Sequence, residues 1–261
     1  MFKRAGRSDN SISWGLSLRM ASNFLSAEWR NLIMANYIID PNILKKHLPC
    51  KTELEDYDGS YYVSLVGFLF HNTRVMGVSF PFHNTFEEVN LRFYVRYKEE
   101  HTWKRGVVFL KEIVPKRMIS FIANSIYGEN YVTLPMKHNW NLTPDSFDVG
   151  YEWKTNEGWN HIRVVSQKDA IDITKGSAEE FITEHYWGYT QINDQCTGIY
   201  EVQHPKWRVY PVISYSIKCN TELLYGKEFA EAMTHPPASV FLAEGSPIQV
   251  RKGSKVRHVN N

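Results

Sequence analysis

The segment Phe86–Lys98, FEEVNLRFYVRYK, sets the strongest constraint on the fold of this chain. Side chains on a strand alternate between two faces. Val89, Leu91, Phe93 and Val95 fall on one face, and Glu88, Asn90, Arg92 and Tyr94 on the other. One side therefore needs a core. The other meets either bulk water, the ordinary outcome for an outer strand, or the wall of a polar cavity.

Similar strand signals recur along the chain. Glu28–Asp40 reads as a strand, and DPNILKKHLP as a short helix with Asp40 as N-cap, Pro41 at N1 and a stop before Pro49. An Asp-Gly turn at 58–59 leads into a long β run, and KRGVVFLKEIV follows. NYVTLPMKHNWNL, SFDVGYEWKT and NHIRVVSQK read as a meander. Ser177 and Glu180 have capping-box spacing for a short helix. GIYEVQHPKWRVYPVISYSIK is strand broken near His204–Pro205, and SVFLAEGSPIQVRKG is the last. Helices are few and short. The expected class is α+β and mainly antiparallel β, a barrel or strongly curved sheet with a few flanking helices.

With no internal repeat and no Pro/Gly/Ser linker, 261 residues suit one domain, 21–261, preceded by a mobile arm over 1–20. The near balance of 30 basic against 28 acidic side chains argues against a nucleic-acid partner. No apolar run approaches the ~20 residues needed to span a bilayer, which argues against a membrane protein. Three cysteines without a C-x-x-C fit reduced thiols in the cytoplasm. Histidines 71, 83, 185 and 204 stand singly, with no H-E-x-x-H, so neither a metal nor a cofactor is expected. In EHYWGYT, strand alternation puts His185, Trp187 and Tyr189 on one face and Glu184, Tyr186 and Gly188 on the other. One face could floor a pocket. Aromatic core packing is the equal alternative. Glu129 and Tyr131 read as fixing a helix exit.

EIVPKRMISFIANSIYGENY, from Glu112 to Tyr131, carries two adjacent cations beside Pro115. Taking Pro115 as N1 of a helix to about Tyr127, with about 100° per residue, Lys116 falls at the edge of the apolar half and Arg117 outside it. A lysine so placed, beside Arg117 and at the positive helix end, is disfavoured in its charged form. A neutral amine attacks carbonyl carbon and forms a Schiff base. The bland alternative is a lysine whose stem packs while its head reaches water.

VPKR after a strand resembles the lysine pair of acetoacetate decarboxylase, with Lys116 at the Schiff-base position and Arg117 at the neighbouring cation. WRNLIMANYIIDPNILKKHLP resembles that enzyme's early segment and would put Arg30 at its active-site arginine, where its fork of donors suits a carboxylate. FEEVNLRFYVR, VPKRMISFIANSIYGENY, EEFITEHYWGYT and VQHPKWRVY, in that order, resemble the YqjF-like uncharacterised bacterial family of the same superfamily. The resemblance implies a cone-shaped β-barrel with flanking helices. The likeness to acetoacetate decarboxylase implies Lys116, Arg117 and Arg30 as catalytic candidates for a lyase acting on a small keto acid, and Glu88 joins them as a proton carrier by residue type alone. Asn90, Arg92 and Tyr94, on the polar face of the same strand as Glu88, would contact the ligand. The alternative is a barrel that binds a small molecule without turnover. Assembly into a homo-oligomer is compatible with either.

Overall fold

The computed structural model describes residues 23–79, 84–116 and 130–257. The expected arm, Arg117 and nearly all of the expected helix after Pro115 lie outside the described residues. The chain begins with β1 (Asn23–Ile38), helix α1 (Pro41–Leu44), the short β2 (Thr52–Leu54) and β3 (Tyr62–Val75). Next come β4 (Phe86–Glu99), β5 (Thr102–Val114) and β6 (Tyr131–Thr133). The meander is β7 (Met136–Leu142), β8 (Phe147–Thr155) and β9 (Gly158–Ser166), followed by β10 (Ile171–Asp172). Helix α2 (Ala178–Thr183) precedes β11 (Trp187–Asn193), β12 (Cys196–Gln203), β13 (Arg208–Tyr210) and β14 (Val212–Lys218). Helices α3 (Thr221–Tyr225) and α4 (Lys227–Met233) precede β15 (Ser239–Arg251) and β16 (Ser254–Arg257).

The cap chemistry behaves as the sequence suggests. The Asp40 side chain accepts the Asn42 N–H at 2.8 Å, with Pro41 opening the helix. The Ser177 hydroxyl accepts the Glu180 N–H at 3.3 Å, while the Glu180 carboxylate reaches back to the Gly176 N–H at 2.7 Å. The two capping side chains each satisfy an amide that the first helical turn leaves open, and the Glu180 carboxylate ties down the residue before the Ser177 cap.

Strands β15, β1, β3, β4, β5, β11 and β12 are neighbours in that order. The sheet then returns on itself, because Val202 and Gln203 of β12 pair with Val250 and Gln249 of β15. The result is a closed barrel, antiparallel except where β5 meets β11 and β6. A second sheet, β14-β9-β8-β7, covers one side of its outer surface. Between the sheets lies one apolar core, containing Val89, Leu91, Phe93 and Val95 of β4 with Val149, Tyr151, Trp153 and Ile162 of the outer sheet. The other core lies inside the ring and includes Leu32, Met34, Phe68, Phe70 and Phe86. The alternating strand β4 thus has one apolar face in the sandwich and one polar face inside the barrel. That polar face is withdrawn from water: Glu88 is 2%, Asn90 1%, Arg92 7% and Tyr94 1% exposed.

A β-bulge in β1 fixes which residues look inward. Arg30 pairs with Leu69 and Ile33 with Gly67, so two residues of β1 span one of β3. Asn31, at φ 52°, makes the turn in the chain. The Tyr151 hydroxyl braces it between the carbonyls of Arg30, at 3.2 Å, and Asn31, at 2.9 Å. Gly245 of β15 sits opposite Arg30 at φ +78°, where a Cβ would overlap the Trp29 carbonyl. Gly245→Ala should therefore cost about 2 kcal/mol or more, from positive-φ strain and the clash together. Urea unfolding of the variant measures this, and an unchanged midpoint would show that the bulge relaxes freely.

Candidate functional site

The ring interior encloses a cavity of about 140 Å³. Its walls are aromatic at one side, where Trp29 meets Phe68 and Phe70 edge-on at centroid distances of 5.4 and 6.0 Å. A polar band runs along β4 through Glu88, Asn90 and Arg92 and continues to Glu112 of β5, Tyr131, His185 and His204.

One end of the band is acidic. Asn90 donates to Glu88 at 2.9 Å, and the Tyr131 hydroxyl donates to the other Glu88 oxygen at 3.2 Å. Glu112 is 2% exposed and lies close to the same phenol. Burial, followed by the Glu112 and Glu88 carboxylates, holds the Tyr131 phenol well above its usual range. It therefore remains a proton donor at neutral pH.

The other end is cationic. Arg92 makes a long contact to the Met34 sulfur at 3.9 Å, and its Cζ lies 5.9 Å from the Tyr94 ring centroid. Its Nε is buried without a partner, and among the described residues no carboxylate lies within ion-pair distance. His185 lies against the same Tyr94 ring, centroids 4.8 Å apart. Its Nε2 meets Glu55 at 3.1 Å, and Glu55 in turn accepts from Arg105 Nε at 2.6 Å. Burial outweighs the Glu55 carboxylate, and His185 is pushed down to about 4. Burial likewise lowers His204, whose Nδ1–H donates to the Pro205 carbonyl at 2.9 Å.

The structure brings Glu88, Asn90 and Arg92 together in the cavity. Tyr94 shares their face but not the cavity wall. Ser64 gives its proton to Asn36 Oδ1 at 2.6 Å, so the Tyr94 hydroxyl donates to Ser64, also at 2.6 Å. Tyr94 instead packs beneath Arg92 and His185. Arg30 is placed outside the ring. Counting back from Leu32 would turn it inward, but the bulge at Asn31 inverts the phase and gives the inward position to Trp29. Arg30 pairs instead with Glu28, which also accepts from Asn72 at 2.8 Å. Lys116 is half-buried and is not among the residues lining the cavity. It lies near Glu87, on the opposite face of β4 from Glu88. There burial raises the Glu87 carboxyl, but the His138 hydrogen bond, a backbone hydrogen bond and, last, the Lys116 charge together bring it below its ordinary value. Arg117 lies outside the described residues.

Sequence reasoning missed Glu55, Glu112 and Arg105, and gave Tyr131 only a structural role. It left open which face of EHYWGYT would floor a pocket, and His185, Trp187 and Gly188, drawn from both faces, line the cavity. The uniform alternation expected for EHYWGYT does not hold. α2 ends at Thr183, β11 starts only at Trp187, and Tyr189 turns into the sandwich core. Among the described residues no group of three His, Cys, Asp or Glu side chains is placed to hold a metal, and no helix is long and apolar enough to cross a membrane.

Residues 26–247 match the family model DUF2071, described as an uncharacterized conserved protein. The chain belongs to this family. The DUF2071 match runs from Ser26 in β1 to Pro247 in β15, just short of the Gln249 and Val250 pairs that close the ring. Over 182 residues the chain is 27% identical to the uncharacterized protein YqjF of Bacillus subtilis (strain 168), covering 69% of this chain and 72% of that protein. Among solved structures it resembles acetoacetate decarboxylase of Legionella pneumophila subsp. pneumophila str. Philadelphia 1. There the TM-score is 0.61 at 13% identity, over 90% of this chain and 88% of that one. It also resembles the enduracididine biosynthesis enzyme MppR complexed with pyruvate, with TM-score 0.62 at 11% identity, over 96% and 98% of the two chains. An acetoacetate decarboxylase-like enzyme from Sphingomonas wittichii RW1 gives 0.63 at 9% identity, over 91% and 94%. This DUF2071 chain therefore has the acetoacetate decarboxylase-like fold, as its motifs led one to expect.

Proposed function

We propose that this DUF2071 protein binds a small carboxylic acid inside its barrel, with Arg92 gripping the carboxylate. The observation that carries the reading is a buried guanidinium with no anionic partner within the described residues. Burying an arginine without a counter-ion is costly. A planar fork of donors suits a carboxylate, which takes two parallel hydrogen bonds from it. Asn90 stands beside it, and the aromatic wall suits an apolar remainder of the ligand. The Glu88–Tyr131–Glu112 end supplies groups that can hold a proton. MppR, a neighbour in fold, has been seen with pyruvate, an acid of this size.

The test is calorimetric titration with small carboxylates, pyruvate and acetoacetate among them. Arg92→Met should weaken any acid that binds by about 100-fold, the usual scale for leaving a buried charged hydrogen-bonding group unpaired. Retained affinity in that variant would remove Arg92 as the clamp.

A second reading is imine chemistry on a keto acid through Lys116, a lyase reaction of decarboxylase or aldolase type. It is supported by the fold shared with acetoacetate decarboxylase and by the place of Lys116 just beyond the end of β5. The proximity of Lys116 to Glu87, outside the cavity lining, weighs against it. Borohydride reduction in the presence of pyruvate or acetoacetate should leave Lys116 unmodified. A reduced adduct mapped to Lys116 would establish the imine route in place of simple binding.

A further inference from the structure

We infer that the Glu55–His185 pair makes the cavity selective for 2-hydroxy acids, presenting a hydrogen-bond acceptor beside the carboxylate clamp. The inference rests on the reading of Arg92 given above and narrows the ligand class it would take.

Glu55 is fixed from one side by Arg105 Nε at 2.6 Å and meets His185 Nε2 through its other oxygen at 3.1 Å. An ionised carboxylate accepts only, so the Nε2 atom must carry the proton. The remaining nitrogen, Nδ1, is then a bare lone pair. It is buried and has no partner among the described residues, although the His185 side chain is only 1% exposed. A buried acceptor of this kind calls for a donor. Protonating the ring is a poor way to satisfy it: it would turn Nδ1 into a donor that equally lacks a partner, and burial above all, with Arg105 and Arg92, opposes a further positive charge there. A ligand hydroxyl satisfies it directly.

His185 and Arg92 each lie against the Tyr94 ring, at 4.8 Å between centroids and 5.9 Å from Cζ to centroid, and both line the cavity. A small molecule seated there would set its carboxylate on the guanidinium and turn a hydroxyl on the adjacent carbon toward the imidazole. A keto oxygen at the same place would set lone pair against lone pair. The cavity of about 140 Å³ is of the size that accepts a benzene-sized guest, so the tail is compact, and the aromatic wall requires that it be apolar.

Three acids isolate the effect, differing only at the second carbon: 3-methylbutanoate, 2-hydroxy-3-methylbutanoate and 2-oxo-3-methylbutanoate. Titrated into the full chain at neutral pH, the hydroxy acid should bind about ten-fold tighter than the unsubstituted acid, the scale of one good hydrogen bond. The oxo acid should gain nothing over the unsubstituted one. In His185→Phe the ratio should fall to about one while the unsubstituted acid still binds, since Glu55 keeps Arg105 and the ring packing against Phe181 and Tyr94 is retained. Equal affinity of all three acids for the wild-type chain, or a preference that survives in His185→Phe, would overturn the inference and leave the Arg92 reading standing. Binding of none of them would overturn the inference, and the Arg92 reading falls with it if pyruvate and acetoacetate also fail to bind. Should His185→Phe not fold, the wild-type ratios alone decide.

Discussion

Acidification from pH 7 to pH 4 should weaken the fold by about 3 kcal/mol through His185 alone, since each pH unit between its two pKa values is worth about 1.4 kcal/mol. Its unfolded value is near 6.5 and its folded value about 4. Between those limits the unfolded chain binds a proton that the folded chain excludes. Stability is therefore full above about pH 6.5 and falls as the pH drops toward 4. Every charged group facing the ring bears on this balance. Burial dominates and lowers it, Arg105 and Arg92 push the same way, and Glu55 opposes them with a hydrogen bond and its charge. His204, lowered by burial, adds to the loss in the same direction. Glu55 has a lowered value too, so its contribution is lost only further down, below the ordinary carboxylate range. Urea unfolding at pH 7, 6, 5 and 4 measures the slope. His185→Phe should flatten most of it, whereas an unchanged slope in that variant would assign the acid sensitivity to other groups.

The two-faced character of β4 was legible in the sequence because a strand with period-two alternation leaves few choices. Its apolar face had to find a core, and the polar residues between were too regularly placed to be chance decoration. That regularity does not say whether the polar face meets water or a cavity. Only closure of the ring, through the pairing of β12 with β15, encloses Glu88, Asn90 and Arg92. This contact joins residues far apart in sequence and leaves no local signal. The misplacement of Arg30 has a local cause of the same kind. One extra residue at Asn31 reverses every side chain before it, and nothing in RNLIMAN marks the bulge. Glu55 and Arg105 escaped notice because each lies beside His185 only in the folded chain, 130 and 80 positions away from it in sequence. His185 itself was noticed for its aromatic company. Its chemistry comes from the carboxylate behind it, which no spacing rule connects to it.

Two neighbouring substitutions on β4 should shift stability in opposite directions. Phe93 is fully buried in the sandwich core, where the outer sheet packs over it. Phe93→Ala should cost about 3–5 kcal/mol, the transfer energy of the ring plus the cavity left behind. Arg92, one residue earlier, faces the interior with its cation unpaired among the described residues. Arg92→Met keeps the aliphatic stem, retains contact with Met34 and removes the desolvated charge, and should stabilise the empty protein by about 1–3 kcal/mol. The same variant is the one expected to lose carboxylate binding. A gain in stability joined to a loss of ligand is the signature of a residue kept for function rather than for folding. Denaturant midpoints of both variants, measured without ligand at neutral pH, decide the point. If Arg92→Met were as damaging as Phe93→Ala, Arg92 would be a structural support of the barrel, and the guanidinium could no longer be read as held in reserve for an anion.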